Sequence, residues 1–364
     1  MSQEKNNSEI TMNEQLRNFM VKSMYGFQTI LCYGLGKRLG IFDYLNQKAH
    51  SEISEGKISS ISFTVEDLSE NLKLGADYLE AWLHMSIVCG IFEIDKSCKR
   101  CAKTAPHVFE LLVDSDSMFY LGDFIANFYN MAQGQDLLIE GFKTGTTIRF
   151  SEVTGDMYKE GQKASARFGT LVERLFAKYC KEDKRKLSRG AKALEVGCGY
   201  GFNLENWAKK YKKAYFTGID IDPEGIAHAK KLMGKYNWGD RVKILEIPIE
   251  KFAKSTETKF DVIMLNMVLH EMDPDESYRI EAINNLYPLL KDEGLLIIGD
   301  TLVPDTFDIT ADPQLYDIMH KWFEVSFGSR FYDESTFQEL INSTPFKRTE
   351  LIREGGSYFW AIRK

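Results

Sequence analysis

Residues 193–207, ALEVGCGYGFNLENW, run an apolar strand directly into three glycines at alternate positions and then into a helix. Such a unit commits its surroundings to parallel strands, because a parallel partner is reached only through a crossover, usually helical. From Ala191 onward, KALEVGCG, ENWAKKY, AYFTGID, PEGIAHAKKLM, VKILEI, FDVIMLN and GLLIIGD alternate strand with helix. The strands are apolar without alternation, which predicts a parallel sheet covered on both faces. The final stretch, KRTELIREGGSYFWAIRK, alternates around Gly355 and Gly356. It predicts an antiparallel hairpin at one sheet edge.

The glycine loop narrows the ligand. A dinucleotide fingerprint needs a third glycine where this chain has Phe202, and a P-loop needs Gly-Lys-Ser/Thr where it has Gly-Phe-Asn. What remains is E-x-G-x-G-x-G, with Glu195 just ahead of the loop. A carboxylate there repels a pyrophosphate and favours a ligand carrying positive charge. S-adenosylmethionine, with its sulfonium and ammonium groups, is such a ligand. Its ribose then requires an acid at the tip of the next strand. FTGIDIDPEG offers two. Asp222, before Pro223 and Glu224, reads as a helix N-cap ahead of a proline at N1. That leaves Asp220 free for the ribose hydroxyls and Ile221 for the adenine face.

Upstream, TVEDLSENLKLGADYLEAWLHMSIVCGIFEI reads as helix, turn, helix and strand, with CKRC at a hairpin tip: a winged-helix pattern. The would-be recognition helix, DYLEAWLHMSIVC, has no Lys or Arg. It is expected to be buried in a scaffold or dimer, not to read DNA. A net charge of −7 likewise disfavours a nucleic-acid partner. NQKAHSEISEGKISSIS reads as a polar surface loop. No run approaches the roughly 18 apolar residues of a membrane span, and the first residues lack a signal-peptide core. A soluble, cytoplasmic protein with no membrane partner is expected. The cysteines (Cys32, Cys89, Cys98, Cys101, Cys180 and Cys198) suit buried thiols. Cys98 and Cys101 lack a second ligand pair, with only His107 nearby, so they read as a charged turn and no metal is expected. Three regions are expected: 1–107 winged-helix-like and dimer-forming, 108–189 a helical connector and lid, and 190–364 the cofactor-binding domain.

A hydroxyl acceptor must lose a proton as it is methylated, and an imidazole, with a pKa of about 6.5, can take it near neutral pH. His50 falls in the predicted loop, His84 and His228 within helices, and His107 in a connecting segment. His270 follows FDVIMLNMVL, near the carboxyl end of a predicted strand, where open α/β sheets place ligands. The acids after it, in Asp273-Pro274-Asp275-Glu276, read as the cap, N1 proline and capping-box residue of the next helix.

EVGCGYG, GIDIDP, FDVIMLNMVLHEM and LLKDEGLLIIGDTLVP resemble the class I S-adenosylmethionine-dependent methyltransferases across residues 190–364. FQTILCYGLGKRLGIFDYL and LSENLKLGADYLEAWLHMSIVCGIFE are similar to the N-terminal winged helix of the small-molecule O-methyltransferases, which forms their dimer. The resemblance implies an α/β fold: a Rossmann-like methyltransferase sheet behind a mostly helical winged-helix domain, in a homodimer. It also implies main-chain contacts from Gly197, Cys198 and Gly199 to the methionyl end of the cofactor, a contact from Asn266, and a hold on its carboxylate by Arg167 in KASARFGTL.

The family's His-Asp-Trp element, whose histidine is the general base, is His270-Glu271-Met272 here, and Asp300 matches the acid that orients it. His320 is the second choice of base, and Met319, Trp322 and Phe323, with Phe124 and Phe128, match the wall of a flat acceptor's pocket. Three departures stand out: Pro248 replaces an acid that contacts the adenine amine, leaving backbone groups or Glu250; Met272 replaces Trp; and 46–62 is an extra loop. The leading expectation is O-methylation of a small aromatic or apolar molecule. The alternatives are N-, S- or C-methylation without a histidine base, and a non-catalytic winged-helix regulator that senses the cofactor.

Overall fold

The computed structural model describes residues 10–52, 58–117, 119–133, 135–147, 156–273, 275–308 and 314–364. Two units divide the chain, Met1–Gln133 and Gly134–Lys364. The division falls inside the 108–189 span expected to be a connector.

In the first unit, α1 (Met12–Arg17) runs through a π-helical turn into α2 (Met24–Arg38), followed by α3 (Ile41–Glu52), β1 (Ser62–Phe63), α4 (Val65–Leu72), α5 (Ala76–Val88), β2 (Phe92–Asp95), β3 (Cys101–Thr104) and α6 (Gly122–Gln133). The three strands pair antiparallel in the order β1-β3-β2, giving the wing. Helix α5 turns Leu79, Trp82 and Leu83 into a core with Phe42, Phe63 and Phe92. The Trp82 Nε1–H donates to the Cys32 carbonyl at 2.9 Å. The helix is only half buried, since Tyr78, Glu80, His84 and Val88 on its other face stay exposed.

Two expectations fail in this unit. The polar stretch after Leu45 is not loop from the start: α3 continues to Glu52, carrying His50 with it, because Ile41, Phe42, Leu45 and Ala49 extend one buried helical stripe. The rest of that stretch, 53–57, lies outside the described residues. Cys98 and Cys101 are not thiols but a disulfide across the β2–β3 turn.

The second unit contains α7 (Gln135–Thr144), α8 (Asp156–Tyr179), α9 (Lys181–Ser188), β4 (Lys192–Val196), α10 (Phe202–Lys210), β5 (Tyr215–Asp220), α11 (Pro223–Met233), β6 (Val242–Glu246), α12 (Ile249–Ser255) and β7 (Phe260–Asn266). It closes with α13 (Glu276–Leu286), β8 (Leu290–Gly299), α14 (Leu315–Glu324), α15 (Glu334–Asn342), β9 (Arg348–Glu354) and β10 (Ser357–Arg363). Seven strands form one sheet in the order β6-β5-β4-β7-β8-β10-β9. β4 to β8 run parallel, and β10 is antiparallel to both neighbours. The hairpin turns at Gly355 and Gly356, both at positive φ (58° and 80°), as a two-residue primed turn requires.

Six of the seven residues of β7 are buried, which is why FDVIMLN shows no alternation. One apolar cluster, with Phe176, Trp207 and Phe216, covers one face of the sheet, and another, with Ile263, Leu286 and Phe337, covers the other. The strand order reverses between β4 and β7, so the crevice at their carboxyl ends is the topological switch point where ligands bind in such sheets. No helix among the described residues is long and apolar enough to cross a membrane.

Candidate functional site

A cavity of about 480 Å³ opens at that switch point, walled by the ends of β4, β5 and β7 and by one face of α8. The glycine loop is bare for two reasons at once. Gly197 and Gly199 sit at φ 70° and 45°, and a Cβ on them would stand 2.5 Å from Val268 Cγ2 and 2.3 Å from Gln162 Oε1. Its N–H groups are already used: Gly197 and Cys198 donate to the Ile219 carbonyl at 2.9 and 3.1 Å, and Gly199 to Asp220 Oδ2 at 2.7 Å. A loop with those donors engaged is no nest for a phosphate.

What the cavity wall offers instead is unsatisfied acceptors. Glu195 is 2% exposed. Its Oε1 accepts from Asn203 Nδ2 at 2.6 Å, while its Oε2 has no partner. Burial pushes this carboxyl up to about 8, with the Asn203 bond opposing and the Asp220 charge adding to the rise. Asn203 Oδ1 and Asn266 Oδ1 are buried and unpartnered too, although Asn266 Nδ2 donates to the Ser165 carbonyl at 3.0 Å. All three residues line the cavity. Buried acceptors are normally paired, so this wall fits a ligand bearing N–H donors and positive charge, as the ammonium end of S-adenosylmethionine does.

Gly169 on α8 makes the cluster possible, since a Cβ there would lie 2.1 Å from Asn203 Oδ1 and 3.1 Å from Asn266 Cγ.

Asp222 caps α11, accepting from Glu224 N at 3.1 Å and Gly225 N at 2.8 Å, with Pro223 at N1. Asp220 is not free as expected. It accepts main-chain hydrogen bonds from Gly199, Ile221 and Asp222, which fix its carboxylate at the cavity wall and leave unused acceptor capacity, mainly on Oδ2. Burial raises this acid against the pull of those bonds. Ile221, Ile247, Pro248 and Ile249 make an apolar end, and Glu250 is not among the lining residues.

Arg167 is not among them either. Gln162, Ser165 and Ala166 share the inward stripe of α8, and one further residue turns the helix by about 100°, carrying Arg167 off that face. The polar lining residues that the sequence reading missed include Asn203, Gln162, Ser165 and Tyr278. Asn203 alone had a local signal, as the second residue of the helix that the glycine loop opens.

Across the cavity, β7 ends at Asn266, Met267 takes a left-handed conformation (φ 56°), and a single 3-10 turn, Leu269–Glu271, presents His270. Its ring Nδ1–H donates to Asp300 Oδ1 at 2.6 Å and its backbone N–H to Asp300 Oδ2 at 3.1 Å. The His270 carbonyl accepts from Arg330 N at 2.9 Å and Arg279 Nη2 at 3.2 Å. The ring stacks on Phe331 at 5.2 Å and meets His320 edge-on at 4.6 Å. These contacts set the tautomer, leaving Nε2 as the acceptor.

Burial opposes protonation of His270, but the charge and hydrogen bond of Asp300, with Glu271 and Glu324 behind them, lift the ring to about 9. Burial likewise opposes ionisation of Asp300, and the His270 charge with three hydrogen bonds holds it below its ordinary value. His320 accepts or shares a proton with Thr301 Oγ1 at 2.8 Å, and burial followed by the His270 charge pushes it down to about 3, so it stays neutral. One ligand-type atom each of His270, His320 and Glu324 lies within 4.8 Å of the others.

Met319, Trp322 and Phe323 lie on α14 and do not line the cavity. Phe124 and Phe128 pack edge-on at 4.6 Å within the first unit. The N-cap of α13 is Asp275, which accepts from Ser277 N at 2.9 Å, and not Asp273, which accepts from Asp275 N at 2.9 Å and lines the cavity. Pro274 lies outside the described residues.

Residues 194–296 match the family described as a methyltransferase domain. A ubiquinone biosynthesis O-methyltransferase of Psychrobacter cryohalolentis is 29% identical over 163 residues, which is 42% of this chain and 61% of that protein. Solved structures match at full length. Mitomycin 7-O-methyltransferase MmcR aligns with a TM-score of 0.67 at 16% identity, covering 97% of this chain and 98% of its own. Human N-acetylserotonin methyltransferase, solved with its cofactor S-adenosylmethionine, gives 0.65 at 16% identity, covering 98% and 99%. Residues 194–296 thus match a methyltransferase domain, and the chain shares its fold with these solved methyltransferases. The alignments with those two structures take in both the helical first unit and the seven-stranded second unit.

Proposed function

We propose that this protein methylates a hydroxyl on a small aromatic or apolar molecule, with S-adenosylmethionine as donor and His270 as general base. The observation that carries the reading is the His270–Asp300 pair, hydrogen-bonded at 2.6 Å, beside a cavity whose buried acceptors lack donors. The bound cofactor supplies an electrophilic methyl group. Glu195, Asn203 and Asn266 would hold its ammonium end, Asp220 its ribose, and Ile221 with Pro248 the adenine. Asp300 is a positioning residue: it fixes the ring's tautomer and stabilises the imidazolium that forms. The names of the bacterial relative and of the mitomycin enzyme both specify O-methylation, which supports oxygen as the acceptor atom.

A homodimer built through the first unit forms part of the proposal. Its support is the exposure of Met12, Leu16, Phe19, Met20, Met24 and Phe27 along α1, the π turn and α2, an apolar strip that water alone covers poorly. Light scattering reads the mass directly, and a monomer at micromolar concentration removes that part.

Calorimetry with S-adenosylmethionine and its demethylated product tests the cofactor site. A panel of phenols, amines and thiols, scored by conversion to S-adenosylhomocysteine, tests the acceptor. One observation favours methylation of N, S or C: the unpartnered Nε2 of His270 is sealed from solvent. Turnover by His270→Ala with an unchanged pH profile would establish that second reading.

A further inference from the structure

His270 does not meet the cavity through its ring. Its side chain is 1% exposed, and Nε2, the nitrogen left free by Asp300, is buried without a partner. Glu271, the next residue of the same 3-10 turn, differs on both counts. It keeps 27% of its side chain open and lines the cavity. Its Oε1 stands 3.8 Å from His270 Nε2. An acceptor entering the cavity therefore meets this carboxylate before it can meet the imidazole.

We propose that Glu271 is a catalytic residue, whose carboxylate takes the acceptor's proton at the cavity and passes it to His270 Nε2. The inference rests on the methyltransferase reading above and places a second group in the proton's path. As the acceptor oxygen bonds to the methyl carbon with its own electron pair, the carbon–sulfur bond breaks and its pair stays on sulfur. The hydroxyl proton moves to a Glu271 oxygen and then to Nε2, leaving an imidazolium against Asp300. Release of that proton to solvent restores the pair, and no other reactant is needed. The 3.8 Å gap exceeds a hydrogen bond by under 1 Å, a closure that a carboxylate on a two-carbon stem makes by rotation.

The groups facing the pair set when it can accept a proton. Asp300 faces it from the end of β8, His320 and Glu324 from α14, and Asp220 from the end of β5. Asp273 and Tyr278 line the same cavity. Burial pushes the Glu271 carboxyl up to about 8, with the His270 charge opposing and Glu324, Asp300 and Asp220 adding to the rise. His270 titrates near 9. Turnover should rise with pH through both.

The test pairs a titration with an assay. Histidine ¹³C NMR on the full chain, with His270 assigned by its loss in His270→Gln, reads the ring without turnover. Turnover of a phenol from the panel is followed across pH 6–10. In Glu271→Gln the His270 midpoint is expected to fall by about half a pH unit or more, because a nearby negative charge is gone. Turnover should drop about 100-fold, in the range typical of a lost proton-transfer group, and the lower of the two ionisations should vanish from the profile. Glu271→Asp should restore part of the rate. An unchanged His270 midpoint overturns the relay, as does Glu271→Gln turnover within about threefold of the parent with the parent's profile. If the parent protein turns over no acceptor at all, the methyltransferase reading fails instead, and the NMR midpoints still report whether Glu271 and His270 are coupled.

Discussion

The two ends of the cavity are built on opposite principles. At the β4–β5 end, the parts come from one short stretch of chain: Glu195, the bare glycines and Asn203 fall within nine residues, and Asp220 is tied to Gly199 by one hydrogen bond. What that end offers is unsatisfied acceptors at fixed positions. At the β7–β8 end, the parts come from far apart: His270 is held by Asp300, thirty residues on, and faces His320 and Glu324 from a helix fifty residues on. What that end offers is buried groups that shift one another's protonation. A binding end can be written locally, whereas an acid–base end needs groups that only the folded sheet brings together.

The comparison breaks most visibly at His270. His270→Ala should lower kcat by about 10³-fold, within the range seen for general bases. Its S-adenosylmethionine affinity, measured by calorimetry, should stay within a few-fold of the parent. Because Asp300 would be left buried without its partner, Tm should fall as well. An equal loss of binding and rate would mean that the two ends are not separate.

The next effect lies at Glu195. Without ligand, burial holds it protonated below about 8, and an ammonium ligand needs it ionised. Cofactor affinity should therefore rise about tenfold per pH unit up to that value, with proton release on binding. Glu195→Gln should abolish the release and flatten the dependence, as calorimetry in buffers of different ionisation heat would reveal.

Ligand-free stability should run the other way. Both Glu195 and His270 have folded pKa values above their ordinary ones, so each contributes stability that is complete below the unfolded value and is lost as pH rises to about 8 and about 9. Tm of the ligand-free protein should decline from pH 5 to pH 9.5, and Glu195→Gln should remove the lower part of that decline.

The smallest effect is at Gly169. Gly169→Ala adds up to about 1 kcal/mol of helix propensity, but crowding at Asn203 takes back about 1–3 kcal/mol. Tm should shift only slightly, while cofactor affinity falls about five- to tenfold. An unchanged affinity would show that Asn203 is not needed where it stands.

Legibility in the sequence divides along the same line. The parallel sheet, the hairpin, the glycine loop and the Asp222 cap could all be read because each depends on residues close in sequence, and His270 with Asp300 emerged through resemblance. The failures were matters of phase and competition. Arg167 was one residue off the inward stripe of α8. Asp220 seemed free because nothing local reveals that the glycine loop's own N–H turns back to it. Asp275, not Asp273, caps α13, because the helix starts one residue after it at Glu276. The sealed ring of His270 beside an open Glu271 depends on Phe331 and on α14, and no spacing in the chain encodes that.

The left-handed turn at Met267 seats Val268 in the space a side chain on Gly197 would fill, with 2.5 Å between Val268 Cγ2 and that missing carbon. The donor loop and the proton-handling loop are therefore meshed, like adjacent teeth. A side chain placed at Gly197 would push on Val268, two residues from His270, and disturb both loops at once.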